Sequence, residues 1–380
     1  MVNQPDVKLP RRRTKPIKVG NVIIGGGFPI AVQSMTKTDT RDVAATIRQI
    51  QSLAEAGCEI VRVAIPDKAA AQAFRKIRQE VSLPLIADIH FDYRLALAAI
   101  EAGADGLRLN PGTIANRDKV KIIVREAQQK AVPIRIGINA GSLEKKLLQK
   151  YGQATAELMV ESALEAVRFL EDLGFNLIKI SLKASDVLRT VKAYRLLAAK
   201  VDYPFHVGIT EAGPLLAGAV KSAVGCGLLI HEGLADTIRV SLTAPPEEEV
   251  RVARLILSSL RARPAGIQVI SCPTCGRLEV DLPPIVERVE KELASLEGEL
   301  TVALMGCMVN GPGEAREADI GLACGRGQAV IFKKGKLWRK VEEKEIVPVF
   351  LEAVKKMVPS ERGDCGERRD EKAKESGHSG

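Results

Sequence analysis

Gly57-Cys58-Glu59-Ile60-Val61-Arg62-Val63 and Gly103-Ala104-Asp105-Gly106-Leu107-Arg108-Leu109 are two copies of one template. Each is a glycine suited to end a helix in the left-handed conformation, a short turn, and an aliphatic run that carries a single cation. Gly174-Phe175-Asn176-Leu177-Ile178-Lys179-Ile180 fits the same template, and 233–240 fits it with one residue inserted. A helix end followed by a buried strand, repeated at this spacing, is the signature of strand–helix units built on a parallel sheet.

Working outward from these copies, short apolar runs fall at 31–35, 60–64, 85–88, 106–110, 134–139, 177–181, 205–209 and 237–241. Between and after them, segments with helical apolar periodicity run over 43–56, 69–81, 94–102, 119–130, 155–173, 185–201, 218–229 and 247–260. Eight units in about 230 residues predict a closed (β/α)8 TIM barrel, preceded by a small hairpin at 20–27. An open doubly wound sheet would want a glycine-rich phosphate turn after its first strand, and Met35-Thr36-Lys37-Thr38 is not one.

The character of the chain changes after Leu260. Strands are expected at 267–270, 300–305, 320–323 and 329–332, with helices at 283–296 and 345–357, a tight turn at Asn310-Gly311-Pro312-Gly313 and a hairpin turn at Lys333-Lys334-Gly335-Lys336. The expected organisation is therefore a basic N-terminal arm (1–19), a barrel (20–263), a small α/β domain (264–357) and a disordered polar tail (358–380).

Composition narrows the function. No apolar run reaches the roughly 18 residues a membrane span needs, and no apolar segment of secretory type follows the N-terminal charges. Seven cysteines, an odd number, argue for reduced thiols and a cytoplasmic protein rather than a disulfide framework. The net charge is +9, and the first twenty residues supply five of those charges, which reads as a solvated arm. Aromatic residues make up only 3%, too few for base stacking, so nucleic acid is not the expected partner.

Arg62, Arg108, Arg135, Lys179 and Arg239 each lie within an expected barrel strand. Barrel strands are buried on both faces, and an unpaired buried cation costs at least several kcal/mol. A few carboxylates at strand ends, such as Asp88 and Glu211, cannot pair them all. At least three are expected to converge on an anion at the barrel mouth, and Arg forks suit phosphate oxygens. The ligand class is a small phosphorylated molecule. Asp88, His90, Asn110, Asn139, Ser181, Lys183, Thr210, Glu211 and Ser241 fall at the strand C-termini, where barrel enzymes place their sites. His90, beside Asp88, is a candidate site residue, and His206 reads as structural.

In the second domain, Cys272 and Cys275 form a C-x2-C pair at a strand end, and Cys307 returns after a helix and a strand. Three readings stand at this point: a structural zinc, for which Cys324 would be a fourth ligand; a redox dithiol, which would not need Cys307; and an iron–sulfur cluster, which accounts for the wide third spacing and the flanking glycines.

Ser271-Cys272-Pro273-Thr274-Cys275-Gly276-Arg277 with Met305-Gly306-Cys307-Met308-Val309-Asn310-Gly311-Pro312-Gly313-Glu314-Ala315 resembles the cluster signature of the 4-hydroxy-3-methylbut-2-enyl diphosphate synthase family. The barrel resembles it too, at 32–36, 87–94, 108–112, 135–145, 183–186 and 208–213. The resemblance implies an iron–sulfur oxidoreductase of the methylerythritol phosphate route to isoprenoids. It implies a [4Fe–4S] cluster held by Cys272, Cys275, Cys307 and Glu314, with Glu314 also catalytic. It implies a cyclic diphosphate substrate, 2-C-methyl-D-erythritol 2,4-cyclodiphosphate, held by Arg62, His90, Arg108, Arg135, Asn139, Lys183, Thr210, Arg239 and Ser241. The strand pattern picks Lys179, whereas the resemblance favours Lys183. A flavodoxin or ferredoxin as electron donor is implied as well. So is a homodimer in which the cluster domain of one subunit caps the barrel of its partner.

Overall fold

The computed structural model describes residues 9–90, 92–110, 117–143, 153–264, 266–293, 296 and 298–358. Residues 1–8 of the expected arm and 359–380 of the expected disordered tail lie outside the described residues, as do Phe91, Pro111, Gly112, Glu144 and Lys145 of the quoted motifs. The chain divides into two compact units, which meet in sequence between Arg263 and Pro264.

The first unit opens with an antiparallel hairpin, β1 (Ile17–Val19) and β2 (Val22–Ile24). Eight strands follow: β3 (Ala31–Met35), β4 (Ile60–Ala64), β5 (Leu85–Ile89), β6 (Gly106–Leu109), β7 (Ile134–Asn139), β8 (Ile178–Lys183), β9 (His206–Val207) and β10 (Thr237–Ile238). Consecutive strands pair in parallel from β3 to β8. β10 pairs with both β9 and β3, and a bridge from Ile180 to Phe205 joins β8 to the approach of β9, so the ring closes. The helices are α1 (Val43–Glu55), α2 (Lys68–Glu80), α3 (Tyr93–Glu101), α4 (Arg117–Gln129), α5 (Ala156–Asp172), α6 (Val187–Ala198), α7 (Leu215–His231) and α8 (Pro246–Ser259).

Their boundaries have local causes. Asp42, Asp67, Asp92, Thr155 and Asp186 each accept a backbone N–H of the first turn, the N-cap role of a short polar side chain. At the other end Gly57, Gly103, Gly174 and Gly233 have φ of 89°, 90°, 72° and 72°, which only glycine adopts at little cost. These are the glycines of the repeated template.

Two expectations are corrected in this unit. The first is the solvated arm. Arg11 donates to Phe28 O at 3.0 Å and pairs with Asp236 at 3.4 Å. Arg12 donates to Val201 O and Tyr203 O and lies 4.0 Å above the Phe205 ring. The segment is docked because the strand starts offer bare carbonyls and a buried carboxylate that backbone pairing does not satisfy. Its last part is β1, so the hairpin begins before residue 20. The hairpin residues Ile17, Val19 and Ile24 pack on Ala31, Ile60 and Ile86 and fill the N-terminal end of the barrel with aliphatic carbon. The second correction is the length of β9 and β10, two residues each rather than five. Past Val207 the chains come too close for regular pairing: a Cβ on Gly208 would lie 2.2 Å from Arg239 O.

The second unit is a five-stranded sheet in sequence order: β11 (Ile267–Ser271), β12 (Leu300–Met305), β13 (Ile320–Gly325), β14 (Gln328–Lys333) and β15 (Lys336–Glu342). The β11–β12–β13 pairs are parallel and the rest antiparallel. Its own core gathers Val289 and Leu293 of α9 (Leu282–Leu293) with Val302, Leu304, Leu322 and Ile331, and Phe350 and Val354 of α11 (Ile346–Lys355). The turn expected at Asn310–Gly313 is instead the start of α10 (Gly311–Glu317), where Pro312 is tolerated in the first turn because no intrahelical N–H is needed there. β15 was not anticipated: Lys336-Leu337-Trp338-Arg339-Lys340 is exposed on both faces, as a charged edge strand is. Among the described residues, no helix is long and apolar enough to cross a membrane.

Candidate active site

Parallel register places Asp88, Arg108, Arg135 and Lys179 side by side on four adjacent strands, β5 to β8, and Asn139 beside Lys183 four residue pairs nearer the strand ends. Paired residues of parallel strands share a face, so one row of charges runs around the barrel interior. Above the aliphatic plug, Arg62, Arg108, Arg135, Lys179 and Lys183 are all buried.

Carboxylates hold only part of this set. Asp88 accepts from Arg108 Nη1 at 3.1 Å, and its other oxygen lies 3.4 Å from Arg62 Nε. His90 Nε2 sits 3.6 Å from Asp88 and 3.5 Å from Arg108. Burial alone would raise the Asp88 pKa, but Arg62, His90 and Arg108 outweigh it and hold the carboxyl well below its usual range. Glu249, from the first turn of α8, takes Arg239 at 3.6 Å and Lys37 at 3.0 Å.

Among the described residues, Arg135 reaches a hydroxyl, Ser181 Oγ at 3.4 Å, and the Lys179 ammonium has no hydrogen-bond partner. Burial, and then the neighbouring Arg62 and Arg108, push the Arg135 pKa well down. Burial and then Arg239 and Arg135 do the same to Lys183; burial and Arg135 do it to Lys179. Arg239 falls to about 10, chiefly through burial and the Arg62 charge. Burial and the neighbouring cations thus disfavour the charged form of each group, and an anion placed among them would restore it. The packing around them is close. A Cβ on Gly137 would meet Arg108 Nε at 2.8 Å, and one on Gly208 would meet Lys183 Nζ at 2.7 Å.

The other sequence candidates line the same end of the barrel. Asn139 ends β7, Thr210 N donates to Ala184 O just beyond β8, and the buried Ser241 Oγ has no protein partner. His206, read as structural, is buried with Nδ1 2.7 Å from Thr237 Oγ1. The residue that sequence reasoning missed is Glu249. Carboxylates were sought on strands, whereas Pro245 and Pro246 start a helix that carries Glu247, Glu248 and Glu249 in its first turn, and only the fold turns the last of these inward.

In the second unit, the adjacent strands β11 and β12 deliver Cys272 and Cys307 just beyond their C-terminal ends. Gly306 N donates to Cys272 Sγ at 3.3 Å, the type of contact that stabilises a sulfur ligand. A Cβ at Gly306 would lie 3.5 Å from the same sulfur. The Arg277 backbone N–H, and then its guanidinium, hold the exposed Cys275 thiol below its ordinary pKa. Glu314 is exposed in the first turn of α10. Cys324 is buried, and burial, and then Cys272 and Glu343, push its thiol up to about 12. Among the described residues, no three Cys, His, Asp or Glu side chains are grouped around a single-ion position.

The chain matches the GcpE TIM-barrel domain over residues 14–254 and the GcpE protein C-terminal domain over 268–356. It is 58% identical over 348 residues to the 4-hydroxy-3-methylbut-2-en-1-yl diphosphate synthase (flavodoxin) of Geobacter sulfurreducens, covering 92% of this chain and 99% of that one. It is 57% identical to the protein of the same name from Maridesulfovibrio salexigens, covering 93% and 99%, and 54% identical to that of Caldanaerobacter subterraneus, covering 92% and 99%.

Proposed function

The chain belongs to the GcpE family, and on that premise we propose that it is a 4-hydroxy-3-methylbut-2-en-1-yl diphosphate synthase. The observation that carries this reading to the level of residues is the imbalance of charge in the barrel: among the described residues, Arg62, Arg108 and Arg239 meet Asp88 or Glu249, whereas no ion pair to a carboxylate is found for the buried Arg135, Lys179 and Lys183. A diphosphate supplies the missing negative charge. The substrate is 2-C-methyl-D-erythritol 2,4-cyclodiphosphate, bound by Arg62, His90, Arg108, Arg135, Asn139, Lys183, Thr210, Arg239 and Ser241 at the mouth. Asp88 keeps Arg62 and Arg108 oriented rather than touching the anion itself.

In the reaction, the C2–oxygen bond to phosphate and the C3–oxygen bond break, and a C2–C3 double bond forms. Two electrons are taken up, and the C3 oxygen leaves as water with one added proton. The leaving phosphate remains tethered in the product as part of its diphosphate, and the barrel cations offset the charge it gains on ring opening. Cys272, Cys275, Cys307 and Glu314 suit a [4Fe–4S] cluster, which when bound supplies the electrons one at a time and an iron corner able to act as a Lewis acid. The donor to Cys272 and the glycine beside it fit a bulky sulfur-bound group. Glu314, when not engaged as a cluster ligand, would carry the proton for the departing oxygen. The electron donor is a flavodoxin, the protein in the relatives' names, and the enzyme is a homodimer. Support for the dimer comes from α7, which leaves Leu216, Val220 and Val224 exposed at helical spacing, with Leu188 of the neighbouring α6 exposed as well.

Anaerobic turnover of the cyclodiphosphate with an artificial reductant tests the reading. Wild type should be brown, hold iron and sulfide, and form the linear diphosphate. Glu314→Ala should lose turnover by roughly two orders of magnitude or more, the scale of a lost acid–base group. A colourless protein containing only zinc and giving no product would sink the proposal.

A further inference from the structure

Glu249 is a carboxylate with 1% side-chain exposure, and it lies at the closing strand pair of the barrel, where backbone pairing is short. The first and last strands, β3 and β10, share only two register pairs, Thr237 with Ala31 and Ile238 with Val32. Above those pairs the ladder stops, and Glu249 takes over. Its Oε1 accepts from Leu242 N at 2.9 Å and from Lys37 Nζ at 3.0 Å. Its Oε2 accepts from Ser34 Oγ at 3.3 Å and faces Arg239 Nη2 at 3.6 Å. One carboxylate thus joins the ends of both strands, seated at a helix N-terminus that favours negative charge.

Its contact with Arg239 has a consequence beyond packing. Arg239 is the largest charged influence on Lys183, and Gly208 lets the Lys183 ammonium and the Arg239 backbone approach each other closely. Two cations so placed repel, and each has other conformations available. We propose that Glu249 is a positioning residue of the substrate site: it fixes the Arg239 guanidinium toward the diphosphate and offsets its repulsion of Lys183, without touching substrate. The inference rests on the assignment of the barrel mouth as the diphosphate site.

A positioning residue for a group that binds the substrate's constant charge is expected to act on affinity more than on the chemical step. Glu249→Gln keeps the shape and two acceptor contacts but removes the charge. Under anaerobic turnover it should raise KM for the cyclodiphosphate about tenfold or more, with kcat within about threefold of wild type and unchanged iron and sulfide content. Protection of the fold by inorganic pyrophosphate, read as the concentration giving half the maximal rise in melting temperature, should weaken by a similar factor. Glu249→Asp, which keeps the charge on a shorter arm, should lie between the two. If Glu249→Gln fails to fold, the Asp variant is read on the same scale. Unchanged KM and pyrophosphate protection in the folded variant, or a loss of kcat at constant KM, would overturn the proposal. Failure of the functional assignment looks different: wild type itself would neither turn over the cyclodiphosphate nor be protected by pyrophosphate.

Discussion

At the scale of single residues, the barrel is a case of charges kept unsatisfied until a ligand arrives. Lys183 is buried, and burial with the neighbouring Arg239 and Arg135 lowers its pKa well below 10.5. A bound diphosphate prefers the protonated amine and raises that pKa again, so binding takes up a proton. Affinity for the cyclodiphosphate or for pyrophosphate is therefore greatest at low pH and falls as pH rises through the depressed pKa of the free enzyme. The ligand-free fold responds in the opposite sense. The unfolded chain binds the proton more readily, so this group's contribution to stability grows as pH rises toward 10.5. Isothermal titration with pyrophosphate in two buffers of different ionisation enthalpy checks the proton uptake, and Lys183→Met should abolish this lysine's share of it. Most of these residues were legible as sequence, because a cation inside an aliphatic run conflicts with its surroundings wherever the strand is buried. The competition between Lys179 and Lys183 was not legible: both lie on one interior face of β8, and their depth depends on the barrel's register.

Elements carry information that no single position does. Helix α10, which carries Glu314 in its first turn, lies directly on β13. A Cβ at Gly321 would fall 2.3 Å from Ala315 O and 2.4 Å from Ala315 Cα, both backbone atoms of that helix that cannot rotate away. Gly321→Ala should therefore push α10 off the sheet. The expected cost is about 1–3 kcal/mol of stability, the usual price of overpacking, together with reduced iron retention. Chemical unfolding and iron analysis of the purified variant measure both effects, and wild-type values in each would show that α10 can shift without consequence. In the sequence, Gly311-Pro312-Gly313 pointed to a turn, since both residue types break helices in general. Proline is nevertheless suited to a first turn, and whether such a segment turns or starts a helix is decided by the sheet it packs against. The charged edge strand β15 was hidden for a related reason: with neither face buried, it has no alternation to read.

For the whole molecule, Leu216, Val220 and Val224 on α7 form an exposed apolar stripe, and a second copy is the occupant proposed above. Val220→Glu combined with Val224→Lys should convert a dimer into monomers in sedimentation velocity while leaving the barrel's circular dichroism intact. A dimer that survives both changes would move the interface elsewhere. The barrel was readable from sequence alone because its units alternate buried strands with amphipathic helices, and four of them, at Gly57, Gly103, Gly174 and Gly233, repeat the same helix-ending glycine with positive φ. The excess of strand cations was likewise countable and set the class of ligand to look for, whereas the cysteine spacing left zinc, a dithiol and a cluster open until the resemblance chose among them. Tertiary structure alone decided which carboxylate meets which cation. Asp88 and Glu249 lie 161 residues apart, on a strand and on a helix, yet between them they hold Arg62, Arg108 and Arg239. Pairings of that kind depend on closing the ring, and ring closure is a property of the sheet as a whole that no local stretch of the chain encodes.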